Sequence, residues 1–221
     1  MISKLPRWVW IGGVLLAFIA GMVNAVGFLS FQHQGVTHLT GTTTLMGIEV
    51  AHANWLGALH LFWVIAAFVA GAALSGFIIQ DSTLKLGQRY GVALIIEAVL
   101  LIAAVPLLQL DNVAGDYLAS CACGIQNAMA STYSGAVLRT THVSGMLTDI
   151  GIFLGHWLRR LPLDWRRVRL CFLIPSAFFA GGVLGGIAFV RFSYQTLYFP
   201  ALLTGATGLA YVIYRYRHRS E

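Results

Sequence analysis

Charge is what this sequence has least of. Asp, Glu, Lys and Arg together make up 10% of its 221 residues, where a soluble globular domain carries about 25%. With 58% hydrophobic residues and a mean hydropathy of +0.77, that shortfall excludes an ordinary soluble domain. Cysteine is scarce as well. Cys121, Cys123 and Cys171 are odd in number, lie in or beside apolar stretches and lack metal-ligand spacing, so they read as small packing residues, with no disulfide framework and no metal site. Also missing are a nucleotide-binding glycine loop, a His-Glu-x-x-His run and a serine at a nucleophile elbow. Ser144, His142 and Asp149 can be drawn as an intramembrane hydrolase, but three residue types within eight positions are weak ground. The expectation is a chain that is not an enzyme and needs no cofactor.

What the chain has instead is long apolar runs, near residues 8–31, 56–79, 90–110, 117–138, 168–190 and 196–214. About 20 apolar residues cross a bilayer as a helix. Backbone groups in lipid must be satisfied internally, which leaves helices or closed barrels, and these runs lack the alternation of barrel strands. The expected fold class is therefore an all-α polytopic membrane protein. Lys4 and Arg7 precede the first run as they would in a secretory signal. That run exceeds the about 7–15 residues of a signal core, so it reads as the first membrane helix.

The formal net charge of +6 invites a nucleic-acid partner, but the basic residues sit at the ends of the apolar runs. Arg159, Arg160, Arg166, Arg167 and Arg169 share one short loop, and Arg215, Arg217 and Arg219 form the tail. Cytoplasmic loops collect Lys and Arg, and no nucleic-acid partner is expected. Two weaker stretches, 36–53 and 142–158, decide the topology. If both dip into the membrane and return, six full spans result and thirteen of the fourteen Lys and Arg residues are cytoplasmic, with Arg191 alone outside beside Asp111 and Asp116. If both cross, there are eight spans and a weaker bias. The count favours six transmembrane helices plus two partial or re-entrant helices, with both termini cytoplasmic.

The chain also says the same thing twice. Gly21, Asn24, Ala25 and then Thr37-His38-Leu39-Thr40-Gly41 return as Gly124, Asn127, Ala128 and then Thr141-His142-Val143-Ser144-Gly145, at offsets of 103 and 104 residues. A block around Gly71 returns around Gly181, at an offset of 110. The sequence therefore reads as an internal duplication, residues 1–110 and 111–221. With three full spans per unit, the second unit enters from the opposite face, which makes the repeat inverted and puts a site between the two units. Ala67, Gly71 and Ser75, like Ala177, Gly181 and Gly185, form smooth stripes at a spacing of four. Such stripes let helices approach closely. They are expected to pack against each other or against their own motif segments.

The Thr-His segments place hydroxyls, an imidazole and a glycine within apolar sequence. Glycine allows a tight turn or close backbone approach, and Thr or Ser is expected to cap the helix that starts there. A helix start inside a membrane attracts anions or polar ligand groups. Candidate substrate-binding residues are Asn24, Thr37, His38, Thr40, Gly41, Gln126, Asn127, Thr141, His142, Ser144 and Gly145. A structural alternative is that these polar groups are glue between helices. Three acids lie deep: Glu97, with Glu49 and Asp149 after the two motif glycines. A buried carboxylate pairs, lines water or takes a proton, so all three are candidates for coupling. Glu49 and Asp149 have no acidic counterparts in the other copy, where Phe153 and Leu45 stand.

The stretch Ala20-Gly21-Met22-Val23-Asn24-Ala25, with Thr40-Gly41-Thr42 and the pairing of Gly124-Ile125-Gln126-Asn127-Ala128 with Thr141-His142-Val143-Ser144-Gly145, resembles the YoaK-like family of small bacterial inner-membrane proteins. That family is known chiefly as a domain of unknown function. The resemblance covers nearly the whole chain and implies a bacterial inner-membrane location without supplying a substrate. The functional expectation is a carrier or channel for a small solute. The competing reading is a non-transporting assembly partner or sensor. Expected partners are the lipid bilayer, a small solute and, as an option, further copies of the chain.

Overall fold

The computed structural model describes residues 7–79, 89–134 and 139–217. Lys4, Lys85, Arg219, all but Arg89 of the cytoplasmic loop expected at 81–89, and the end of the span expected to reach 138 lie outside the described residues. What is described is all helical: α1 (Arg7–Leu29), α2 (Leu39–Ala51), α3 (Trp55–Ile78), α4 (Arg89–Gln109), α5 (Ala114–Tyr133), α6 (Val143–Leu158), α7 (Trp165–Phe192), a 3-10 turn (Ser193–Leu197) and α8 (Tyr198–Arg217). No strand occurs among the described residues.

Four stretches of the described chain are long and apolar enough to cross a membrane: Trp10–Leu29, Trp55–Ile78, Arg89–Gln109 and Trp165–Ile213, the last running through α7, the turn and α8. These apolar helices are compatible with an integral membrane protein. Helix α5 is not among them. Asp116, Ser120, Gln126, Asn127, Ser131 and Thr132 dilute its hydropathy, and it buries three of them in the bundle, Asp116, Ser120 and Gln126 each being no more than 1% exposed. An interior helix lined with partners does not need an apolar surface all round.

The two short helices end alike. After α2, Ala53 takes a left-handed φ of 55° and the Asn54 amide donates back to the Glu49 carbonyl at 2.9 Å. After α6, Arg160 takes a φ of 57° and the Leu161 amide donates to the His156 carbonyl at 2.9 Å. This left-handed stop satisfies the last carbonyls of a helix. The following helices are then capped by side chains: Asn54 accepts from the Gly57 amide at 3.2 Å, and Asp164 accepts from the Arg166 and Arg167 amides at 3.1 and 3.3 Å. Each stop and cap therefore folds a short helix back along a long one, giving the hairpins α2–α3 and α6–α7.

The long helices pack across the chain's midpoint. Helix α1 runs along α7, α3 runs along α5, and α4 lies between α5 and α8. Four glycines allow the first two crossings. A Cβ on Gly21 would overlap the Phe178 carbonyl and one on Gly181 the Phe18 carbonyl, while one on Gly124 would overlap the Phe68 carbonyl and one on Gly71 the Cys121 carbonyl. The smooth stripes of α3 and α7 thus pack neither on each other nor on α2 and α6. Each faces the first helix of the other half, because only a facing glycine lets the two backbones come so close.

Candidate functional site

Both Thr-His segments are helix starts, and His rather than Thr or Ser occupies the cap. His38 precedes α2 with φ −101° and ψ 64°, and His142 precedes α6 with φ −90° and ψ 56°; neither makes a side-chain cap hydrogen bond. The first turns are closed by the Thr42 amide donating to the His38 carbonyl at 3.1 Å and the Met146 amide donating to the His142 carbonyl at 3.3 Å. The amides ahead of these have no partner within the helix and carry the positive end of its dipole.

The motif glycines seat the imidazoles. A Cβ on Gly41 would lie 2.6 Å from Cδ2 of His38, and one on Gly145 would overlap the His142 ring. Glycine at these positions therefore lets each ring fold back on the first turn of its own helix. Their expected role in close approach to a solute is replaced by this one, and neither glycine lines the cavity described next.

Each helix start is tied to an asparagine on the preceding long helix. The Thr37 amide donates to the Asn24 side-chain carbonyl at 3.2 Å, and the Thr141 hydroxyl donates to the Asn127 side-chain carbonyl at 3.4 Å. The two ties converge on one cavity of about 730 Å³. From the first half it is lined by Asn24, Thr37, His38 and Thr40, and from the second by Asn127, Thr141, His142 and Ser144. Phe28, Phe68, Phe178 and Phe179 supply an apolar wall, and Pro175 interrupts the backbone hydrogen bonding of α7 there. Arg139 is the one formally charged residue among its described lining residues, and no carboxylate is among them. Two helix starts and a guanidinium give the cavity a positive potential that suits an anion or a strong acceptor.

Four of the expected coupling and binding residues, Gln126, Asp149, Glu49 and Glu97, sit elsewhere. Gln126 turns into the core, donating to Glu97 Oε1 at 2.9 Å and accepting from the Thr140 hydroxyl at 3.3 Å. Asp149 pairs with Arg167 at 3.0 Å on the surface. Glu49 accepts from the Asn54 side-chain amide at 2.6 Å beside the α3 cap. Glu97 is 2% exposed, and its Oε2 has no hydrogen-bond partner among the described residues.

Sequence reasoning missed two residues. Arg139 was legible as a charge three residues before His142, yet counted only toward topology. Asp116, expected in an outer loop, opens α5 at 1% exposure, with Oδ2 unpartnered among the described residues and a water-sized void beside it that Ser30 and Gly27 also line. An acid in a first helical turn complements the dipole, which is the signal that was available.

No curated protein and no solved structure matches the chain. A family model described as "Protein of unknown function (DUF1275)" matches residues 12–210, a stretch that holds both Thr-His helix starts and the whole cavity lining. The chain therefore belongs to this family of proteins of unknown function.

Proposed function

We propose that this chain is a carrier or channel for a small solute in the bacterial inner membrane, with the solute held where the two Thr-His helix starts meet. In this reading it is not an enzyme, and it is one of the small YoaK-like inner-membrane proteins that its sequence pattern resembles. Six helices, α1, α3, α4, α5, α7 and α8, cross the bilayer; α2 and α6 are re-entrant, and both termini are cytoplasmic. Residues 1–110 and 111–221 are inverted repeats. This duplication is supported by paired geometry: the Asn ties, the His caps and the glycine crossings recur at the sequence offsets of the motifs, and the left-handed stops at Ala53 and Arg160 follow the two short helices 107 residues apart.

The observation that carries the proposal is the cavity itself. Polar groups from 37–40 and 141–144 face one space of about 730 Å³, within the range of small-molecule sites. The Thr37 amide and the Thr141 hydroxyl are taken up by the asparagine ties, but the exposed Thr40 and Ser144 beside them face the space, where a packing role alone would bury them against protein. The wall chemistry selects a small organic anion: the carboxylate or similar group at Arg139 and the helix starts, the carbon skeleton against the phenylalanines. The histidines supply a further donor.

A thermal-shift panel of purified protein tests this, comparing monocarboxylates, dicarboxylates, phosphate, chloride, neutral metabolites and cations. Organic anions are expected to raise the unfolding temperature, by an amount that corresponds to about 2.7 kcal/mol at a hundredfold excess over Kd. Arg139→Gln is expected to abolish the shift. A panel without any stabilising anion overturns the solute reading and leaves the assembly role.

A further inference from the structure

One polar pair in this bundle has no counterpart in the other half, and it adjoins a buried acid. Gln126 and Thr140 are hydrogen bonded through Gln126 Oε1 at 3.3 Å, and both are 1% exposed. At the equivalent offsets of 103 and 104 residues the first half has Val23 and Val36, buried together in one apolar cluster. Both members of the pair thus change from apolar to polar between halves. A polar pair there brings a desolvation cost that two valines avoid, so packing does not account for it.

What the pair adds is a connection. Gln126 Nε2 donates to Glu97 Oε1 at 2.9 Å, Gln126 Oε1 accepts from the Thr140 hydroxyl, and Thr140 precedes Thr141 and His142, which line the cavity and cap α6. The far oxygen of Glu97 has no partner among the described residues, nor does any cationic side chain pair with this carboxyl there. An amide reads either way in such a chain, since a half-turn exchanges its donor and acceptor with little movement. With Glu97 ionised, the carboxylate accepts from the Gln126 NH2 group, whose carbonyl accepts from Thr140. With Glu97 protonated, its O–H donates to the Gln126 carbonyl and the amide NH2 donates to the Thr140 oxygen. The Thr140 hydroxyl hydrogen must then find another acceptor, which disturbs the segment leading into α6.

We propose that Glu97, Gln126 and Thr140 form a relay whose hydrogen-bond direction reverses when Glu97 takes up a proton, placing the α6 side of the cavity under proton control while the α2 side stays indifferent. This rests on the reading of the cavity as a solute site for its purpose, and on geometry alone for its existence. Among the described residues, the groups that bear on Glu97 are few. Helix α5 presents Gln126 and Cys123, the latter close enough to interact electrostatically. The Tyr90 and Tyr133 rings stand 5.9 Å apart along the same α4–α5 seam. Helix α8 meets α4 at Ala98 and Gly205 and, with Tyr211, at Gly91. Helix α3 reaches α4 at Arg89, which donates to the Ile78 carbonyl, and the 3-10 turn shares an apolar cluster with Val105 and Leu108 through Leu197.

The test needs no solute. In protein with Cys121, Cys123 and Cys171 replaced by Ala and reconstituted in phosphatidylcholine nanodiscs, a single cysteine is placed at position 144 or at position 40. Its maleimide modification rate is followed between about pH 5 and 8. Each rate is divided by that of the same cysteine in the Glu97→Gln protein, which cancels the local reactivity of the thiol. The ratio at 144 is expected to change across this range by about fivefold or more, the lower end of coupling between sites, while the ratio at 40 stays flat. The double change Gln126→Val and Thr140→Val, which reproduces the first-half pair, is expected to flatten the ratio at 144. A flat ratio at 144 with the relay intact, an equal change at both positions, or a response that survives the valine pair overturns the proposal. Because no ligand enters the readout, a negative solute panel and a failed relay are told apart.

Discussion

Asn24 holds the Thr37 backbone amide at 3.2 Å while itself only 8% exposed, so one side chain of α1 fixes the turn from which α2 starts. Asn24→Leu leaves that buried amide without an acceptor, at a cost of about 1–3 kcal/mol. Asn24→Asp keeps an acceptor at the same place. The leucine variant is expected to unfold at lower temperature and to expose the 30–38 turn to protease, and the aspartate variant to lose less. Equal losses in both variants would deny the hydrogen bond its role.

Two kinds of helical glycine respond differently to a methyl group. Gly21, Gly71, Gly124 and Gly181 each face a carbonyl from another helix, whereas nothing lies within 4 Å of a Cβ at Gly76 or Gly186. Gly→Ala in the first class is expected to destabilise by about 1–3 kcal/mol or more through overpacking. At Gly76 or Gly186 the same change is expected to be neutral or to gain up to about 1 kcal/mol of helix propensity. Thermal unfolding of the six variants in one detergent measures both classes.

Gly41→Ala and Gly145→Ala act through the imidazoles. The added methyl displaces the His38 or His142 ring from its seat, the ring being what it meets first. Both proteins are expected to insert and stay folded but to lose most of the anion-induced thermal shift. A full shift in either would remove that histidine from the site.

Asp149 offers a contrast with Glu97. Its pair with Arg167 is exposed, at 28% and 46% for the two side chains, and solvent screens such pairs to about 0–1 kcal/mol. Asp149→Asn is expected to shift stability by no more than this and to leave any proton dependence of the α6 segment unchanged, as read by the cysteine at 144.

Orientation is checked by labelling intact cells from outside, in protein without native cysteines. A cysteine at position 113, between α4 and α5, is expected to react. One at position 162, between α6 and α7, is expected to be protected until the cells are opened. The reverse pattern would turn the whole assignment over.

Much of the site was legible because it is written twice. Asn24 with Asn127 and Thr37-His38 with Thr141-His142 recur at one spacing, and these residues do share the cavity. Direction was not legible. Gln126 and Asn127 are neighbours in sequence, but successive helical residues point about 100° apart, so one enters the core and the other faces the cavity. The smooth stripes announced a close partner and could not say which helix it was, because small residues specify distance and carry no label. Boundaries hid Asp116, which reads as a loop acid until the start of α5 is known. The glycines of the two motifs look like turn residues by spacing. Only the folded first turn reveals that they make room for a ring.

The crossings between α1 and α7 and between α3 and α5 have a consequence for how such a chain comes into being. Among the described residues α1 packs on α5, α7, α8 and the 3-10 turn, and on no helix of its own half. Neither half is therefore a finished folding unit: synthesised alone, each would carry a glycine-lined face cut to fit a helix it does not own. A chain severed between α4 and α5 should give two fragments that are degraded singly and rescued by co-expression. On the inverted duplication proposed above, an ancestor of half this length would have had the same need, and a second copy lying the other way round would have met it. The link between α4 and α5 would then be a tether joining partners that were already committed to each other, turning a concentration-dependent assembly into one that every translated chain completes by itself.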